Sequence, residues 1–391
     1  MANHTSKHVL IVAGEASGDL HGVNLVKAMH ELDRDITFQG IGGDRMVIAG
    51  VDLVAHSSQM AVVGFTEVFG KSNIILSSYF RLRSILKNQH PDLLILIDYP
   101  GFNISLAGAA KKFGVPVLYY ISPQIWAWRS GRAKKISRRV DRMAVILPFE
   151  KDFYHKMGSD MPVEYVGHPL MDQVPQHLNG EYIAKEFGIG QGDTVIGLLP
   201  GSRDEEIKKL LPDMLGAARI ISSRVDNLKC IVPVAPTIST DLVEEIAGGS
   251  SLKIITTRKG VYPALRVSDL ALVASGTATL ETAIMGVPMI ITYRISPLSY
   301  KIARRVIKVP YVGLVNLVAG EEVAPEILQE NVTPQIIAEK AMEILGNNGR
   351  KAEIKEKLKE VSSRLGAPGA SARTAGIAFE MMREKKWPGR Y

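Results

Sequence analysis

The sequence predicts an α/β protein built from two Rossmann-like, doubly wound domains, and three observations predict it. Short β-rich runs alternate with amphipathic helical stretches along all 391 residues, the pattern of parallel sheets with crossover helices. Apolar runs such as Asp92-Leu-Leu-Ile-Leu-Ile97 suit strands covered on both faces. A strand–turn–helix opening near the amino terminus recurs after a break between about Pro169 and Asp193, where Pro175 to Gly180 is polar and Gly188, Gly190 and Gly192 follow. The expected domains are 1–172 and 173–365, within the usual ~100–200 residues per domain. Ligands in such folds sit beyond the carboxyl ends of the strands, so a cleft between the two sheets is the expected site.

In the first half, strands are expected near 8–13, 36–41, 93–98, 115–121 and 142–147. The first runs into Gly14-Glu-Ala-Ser-Gly-Asp19, where glycines permit a sharp turn and the following helix start offers free N–H groups to an anion. Its spacing is neither the dinucleotide fingerprint nor a P-loop. Ser17 and Asp19 serve equally well as substrate contacts or N-caps. Glu15 stands apart, because a carboxylate in the turn itself has no structural need to be there.

Asp98 ends the most apolar strand and precedes Tyr99-Pro-Gly-Phe-Asn103. Poor solvation there would raise its pKa and suit it to act as a base; an Asx-turn or N-cap is the structural alternative. Two of the three tryptophans fall in Ser122-Pro-Gln-Ile-Trp-Ala-Trp128, at another strand end, where rings line a pocket or fill core. From Arg129 to Arg142, seven basic residues meet one acid, Asp141, and Ala133, Ile136, Val140 and Met143 are expected to form the inward face of a helix.

In the second half, strands are expected near 194–199, 229–235, 252–257, 270–274 and 287–293. Pro200-Gly-Ser-Arg203 follows the first of these. Gly201 and Ser202 can aim amides at a phosphate, and Arg203 adds a permanent cation where the helix dipole disfavours one. Ser275-Gly-Thr-Ala-Thr-Leu-Glu281 follows the strand 270–274, with Thr277 and Glu281 on one helix face. Two phosphate-competent turns and an acceptor for a ribose diol describe a nucleotide diphosphate site.

Three stretches mix cations with apolar residues in a way that suits an anionic membrane surface or a phosphorylated lipid. They are 129–142; Ser299 to Lys308, with Arg304 and Arg305; and Val62 to Leu86, with Val68, Phe69, Ile74 and Ile75. The formal charge of +7 favours anionic partners, but no aromatic platform or reader module points to nucleic acid. The single Cys230 leaves no internal disulfide and no multi-cysteine metal site. Asp33-Arg-Asp35, the one Asp-x-Asp, lies in a polar link, and of nine histidines only His168, in Gly167-His-Pro169, is suggestively placed. No catalytic metal and no cofactor are expected. No run approaches the ~18 apolar residues of a membrane span, and Val9 to Ala13 is too short for a signal core. A cytoplasmic protein is expected, with peripheral membrane attachment open.

Gly14-Glu-Ala-Ser-Gly-Asp19, Ser122-Pro-Gln-Ile-Trp-Ala-Trp-Arg129, Leu147-Pro-Phe-Glu150, Leu199-Pro-Gly-Ser-Arg203 and Ala274-Ser-Gly-Thr-Ala-Thr-Leu-Glu281 resemble the lipid-A-disaccharide synthase family. The match continues to Asn316 in Tyr311-Val-Gly-Leu-Val-Asn316. The resemblance implies a GT-B inverting glycosyltransferase, with 366–391 returning to the first domain. The donor would be UDP-2,3-diacylglucosamine, the acceptor 2,3-diacylglucosamine 1-phosphate (lipid X), and the products the β-1,6-linked disaccharide 1-phosphate and UDP. It implies Asp98 as base with Glu15 as competitor. Gly201, Ser202, Arg203, Ser275, Gly276, Thr277, Ala278, Thr279, Glu281 and Asn316 would lie at the nucleotide, and Gly14, Ser17, Asp19, Asn103, Gln124 and Trp126 at the acceptor. Val68, Phe69, Ile74, Ile75, Arg304 and Arg305 would meet acyl chains or the inner-membrane surface; a homodimer is compatible with all of this. The alternative is another UDP-sugar enzyme of the same fold, a lipid-linked peptidoglycan precursor transferase or a UDP-N-acetylglucosamine 2-epimerase. A nucleotide- or lipid-binding sensor leaves Asp98 without a purpose, and a dehydrogenase lacks Gly-x-Gly-x-x-Gly after any strand.

Overall fold

The computed structural model describes residues 6–60, 67–175, 177–249, 252–307 and 309–384; within these, the side chains of 16, 67–72, 298, 302 and 303 are not described. The chain divides into two compact units, residues 1–172 with 366–391, and residues 173–365.

The first unit holds seven parallel strands: β1 (His8–Ala13), β2 (Thr37–Gly42), β3 (Val51–His56), β4 (Leu93–Ile97), β5 (Val117–Tyr120), β6 (Arg142–Val145) and β7 (Val163–Tyr165). Their order is β3-β2-β1-β4-β5-β6-β7. The chain builds outward from β1 on one side and then crosses to β4 on the other, so the order reverses between β1 and β4. Ala13 pairs with Ile97, which sets the turns after these two strands side by side. Every residue of β4 is fully buried, as its unbroken apolar run requires.

The second unit repeats the logic with six parallel strands: β8 (Thr194–Leu199), β9 (Leu228–Pro233), β10 (Lys253–Thr257), β11 (Leu270–Ala274), β12 (Met289–Tyr293) and β13 (Glu326–Leu328). The order is β10-β9-β8-β11-β12-β13, and Leu199 pairs with Val273 at the reversal. Helix Ala370–Glu384 packs on helix Ala16–Leu32 within the first unit. Arg142 anchors it through Glu380 at 2.8 Å and Glu384 at 3.0 Å.

Three strands carry no expectation from sequence: β3, β7 and β13. All three are sheet edges, half-exposed, and β7 and β13 have three residues each. The expected basic helix over 129–142 is a second difference. Helix Ala133–Ser137 ends within five residues, and Met143 belongs to β6. Ala133, Ile136 and Val140 are buried as one apolar set, but the chain reaches the sheet too soon to continue the helix.

Candidate functional site

The β1 and β4 turns are adjacent because the strand order reverses there. Glu15 is the N-cap of helix Ala16–Leu32, yet its side chain makes no capping bond and is exposed. Asp98 follows β4 with φ +44, and Tyr99 follows with φ +47. Two consecutive left-handed residues without a glycine cost about 1–3 kcal/mol each and persist only where the surroundings over-determine them. Here the buried Asn103 donates its amide to the carbonyls of Ile97 at 3.1 Å and Asp98 at 2.7 Å. The Tyr119 hydroxyl donates to the Asp98 carbonyl at 2.5 Å, and the Tyr99 hydroxyl to that of Met60 at 3.0 Å. Pro100 opens the following helix with its φ already set. Gly14 is required by close approach: a Cβ there would lie 2.4 Å from the Tyr99 ring.

Burial, and secondarily the charge of nearby Glu15, raise Asp98 to a pKa of about 6. Its carboxylate is therefore a stronger base than an exposed aspartate while remaining ionised at neutral pH. Another left-handed residue, Ile121 at φ +64, follows β5. For a β-branched side chain this is a marked outlier, and exposed Gln124 follows it.

Several residues expected at the acceptor make hydrogen bonds within the fold. Asp19 is buried and accepts from the amides of Gly43 at 2.7 Å and Met46 at 3.3 Å. Asn103 gives its Nδ2 to the Asp98 turn, while its Oδ1 is buried without a hydrogen-bond partner among the described residues. The Trp126 indole donates to Glu150 at 3.1 Å. Glu150, 1% exposed, also accepts from the amides of Ile146 at 3.2 Å and Leu147 at 3.0 Å; burial raises it to about 7. In the sequence Glu150 stands out only as part of Leu147-Pro-Phe-Glu150. Its partner Trp126 is 24 residues away, so no local signal joined them. Ser17 and Gln124 remain exposed.

In the second unit, the β8 and β11 turns enclose a cavity of about 420 Å³. Gly201, Ser202, Arg203, Ser275, Gly276, Thr277, Ala278 and Glu281 line it, with Val234, Ala235, Pro236 and Val261 as an apolar wall. Gly201 adopts φ +123 at the turn, a conformation that favours glycine. A carboxylate of the chain itself occupies the anion-receptive groups: Glu206 accepts from the Ser202 amide and from the Arg203 guanidinium, both at 2.9 Å. Burial raises the pKa of Glu281, offset in part by the Tyr262 hydroxyl beside it.

Thr279 and Asn316 lie outside this lining. The buried Thr279 hydroxyl donates to the Gly276 carbonyl at 2.8 Å. Asn316, 0% exposed, gives its NH2 to the Ala324 carbonyl and Glu326 at 2.8 and 2.9 Å. Its oxygen accepts from the Val323 and Ala324 amides, both at 2.9 Å. An amide so engaged has nothing left for a nucleotide.

A lipid-A-disaccharide synthetase family model matches residues 9–378. The chain belongs to that family. It is 46% identical over 384 residues to the lipid-A-disaccharide synthase of Trichlorobacter lovleyi, covering 98% of this chain and 100% of the relative. The corresponding protein of Syntrophus aciditrophicus is 48% identical over 380 residues, covering 97% and 99%. The fold is that of GT-B glycosyltransferases and related epimerases. UDP-GlcNAc 2-epimerase from Neisseria meningitidis bound to UDP-GlcNAc aligns with TM-score 0.62 at 13% identity over 97% of this chain and 100% of that one. MurG of Acinetobacter baumannii aligns with TM-score 0.58 at 14% identity over 96% and 99%.

Of the residues expected at acyl chains or the membrane, the side chains of Val68 and Phe69 lie outside those described. On helix Glu67–Asn88, Ile75 packs against the first unit's core. Ile74 is exposed, as are Leu76 and Phe80 of the same expected stretch. Arg304 and Arg305 are exposed on helix Pro297–Val306, beside exposed Val306 and Ile307. No described helix is long and apolar enough to cross a membrane. Asp33 and Asp35 sit in the turn after helix Ala16–Leu32, where Asp33 accepts from the Asp35 amide.

His168 is buried and its Nδ1 accepts from the Leu170 amide at 3.2 Å. Burial lowers it to about 3 and His21, which it faces electrostatically, to about 4. With folded values below the unfolded ~6.5, their stability contribution is complete above pH ~6.5 and is lost as pH falls towards 4. Asp98 and Glu150 act with the opposite sign. Urea denaturation of wild type and His21→Gln is expected to show the wild type losing about 2 kcal/mol more between pH 7.5 and 5. Parallel pH profiles would remove His21 as the cause.

Proposed function

We propose that the protein transfers a diacylglucosamine from UDP-2,3-diacylglucosamine to the 6-hydroxyl of lipid X. The reading rests on membership of the lipid-A-disaccharide synthetase family. One observation of this chain carries it: two phosphate-competent turns and Glu281 line one cavity of the second unit. In this reading the cavity holds UDP. Val234, Ala235, Pro236 and Val261 flank the uracil, the amides of Gly201 and Ser202 and the Arg203 guanidinium take the diphosphate, and Glu281 accepts the ribose hydroxyls.

The first unit supplies the base. Asp98 takes the acceptor's 6-hydroxyl proton as that oxygen bonds to the anomeric carbon, while the bond from this carbon to the diphosphate oxygen breaks. A single in-line displacement inverts the anomeric centre. Arg203 and the helix N-termini carry the charge of departing UDP, and no metal is required. Acylated substrates place the enzyme at the cytoplasmic face of the inner membrane, which exposed Ile74, Leu76 and Phe80 and the Arg304–Ile307 segment would meet.

Incubation with both substrates in detergent and EDTA, followed by mass spectrometry, is expected to yield disaccharide 1-phosphate and UDP. Product only on adding magnesium would overturn the metal-free step. No product in either condition, with UDP still bound, would point to another UDP-sugar reaction. Calorimetry tests the cavity: Arg203→Ala is expected to weaken UDP about tenfold or more, the loss of a charge-assisted contact. Glu206→Ala, which removes the carboxylate standing on the same donors, is expected to tighten UDP several-fold. Unchanged affinity in both variants would move the diphosphate elsewhere.

A further inference from the structure

A cavity of the first unit, about 660 Å³, is lined by Arg83, Lys111, Lys112, Lys135 and Arg139 and by no carboxylate. Its floor is the outer stripe of helix Pro100–Lys112, where Ser105 and Gly108 leave room that larger side chains would fill. Its walls come from helix Glu67–Asn88 and from helix Ala133–Ser137 with the segment that follows it. Arg139 is held in place by donating to the Ile104 carbonyl at 2.9 Å. Its guanidinium lies so close to Gly108 that a Cβ there would meet it at 3.0 Å. Lys111 pairs with Asp141 at 2.5 Å. Among the described residues Arg83, Lys112, Lys135 and Arg139 make no ion pair, so the cavity keeps an excess of positive charge.

This cavity is not part of the catalytic end of the unit. Gly108 and Lys112 lie eight and twelve residues past Pro100, roughly 12–18 Å along the helix from the Asp98 turn. Arg83 lies in the last turns of helix Glu67–Asn88, which leads to the amino end of β4, and Arg139 lies just before the amino end of β6. Apolar residues continue from the cavity along one face of helix Glu67–Asn88: Leu76 and Phe80 are 55% and 53% exposed and share the i, i+4, i+7 stripe that ends at Arg83. The Tyr79 ring, which lines the cavity, packs edge-on to Phe80 at 5.8 Å and to buried Phe102 at 5.9 Å. Cations at one end of a stripe and exposed apolar side chains at the other match an amphiphile with an anionic head.

We propose that this cavity binds the phosphate of an anionic phospholipid headgroup, with Leu76 and Phe80 against its acyl region, as an anchoring site separate from both substrates. It rests on the membrane reading given above. The test is co-sedimentation of the full chain with phosphatidylcholine vesicles with and without phosphatidylglycerol. Wild type is expected to bind the anionic vesicles. Lys112→Gln/Lys135→Gln, both at exposed positions, is expected to bind roughly 20–30-fold more weakly at about 1 kcal/mol per cation, with an unchanged thermal midpoint. The control Lys355→Gln/Lys359→Gln removes the same charge from the second unit and is expected to bind as wild type.

Equal losses in both double variants would show charge without a site and overturn the proposal, as would undiminished binding by Lys112→Gln/Lys135→Gln. Were that variant to keep vesicle binding while losing a calorimetric site for inorganic phosphate, the occupant would be a soluble anion. Wild type that ignores both kinds of vesicle would overturn the membrane reading itself, leaving disaccharide synthesis in detergent to stand on its own test.

Discussion

Asp98→Asn is expected to lower the turnover of disaccharide formation by ~10²–10⁴, the usual loss of a general base, while leaving the fold intact. Asp98 is held at about 6 by burial and then by Glu15. Wild-type kcat/KM should therefore rise with pH through about 6 and level off above it. Glu15→Gln removes the second cause, so its acid limb is expected to move to lower pH with a smaller loss of rate. The stability sign separates chemistry from unfolding. A carboxylate whose folded pKa exceeds its unfolded value contributes stability only at low pH and loses it as pH rises through the folded value. At pH 8, Asp98→Asn is thus expected to melt at or above the wild-type temperature. If Glu15→Gln abolished turnover and Asp98→Asn spared it, the two roles would be exchanged.

Asn316→Ala is expected to act on stability and not on donor binding. It strips partners from the Val323 and Ala324 amides and the Ala324 carbonyl, all at a buried side chain. It also removes one donor from Glu326, which keeps the Val312 and Gly313 amides at 2.8 and 2.9 Å. Unpaired buried groups cost ~1–3 kcal/mol each before relaxation, so a loss of about 3–5 kcal/mol and a fall in melting temperature of about 10 °C are expected. Below that transition, KM for the UDP-sugar should match wild type. An unchanged melting temperature with a KM raised tenfold would return Asn316 to the nucleotide.

Local pattern was enough to place the strands that flank both order reversals, because burial on two faces writes an unbroken apolar run such as Leu93–Ile97. It also singled out Glu15, Asp98 and Arg203 as candidates, since a charged group just past a buried strand is conspicuous against its neighbours, and Glu281 by its helical spacing from Thr277. Three of the four described edge strands escaped: Val51–His56 and Glu326–Leu328, for example, are half-exposed, and a short half-exposed strand has little period to detect.

The chain's own sequence thus determined the two α/β units, the turns to which the chemistry is proposed to belong, and the family. Only the tertiary structure decided which polar residues in those turns are free. Asp19 meets Gly43, Trp126 meets Glu150 and Asn316 meets Glu326, partners 10 to 24 residues apart. Strand order, not spacing along the chain, set Ala13 beside Ile97 and Leu199 beside Val273. Burial follows from periodicity, which is local; the satisfaction of a buried hydrogen bond depends on where the rest of the chain arrives.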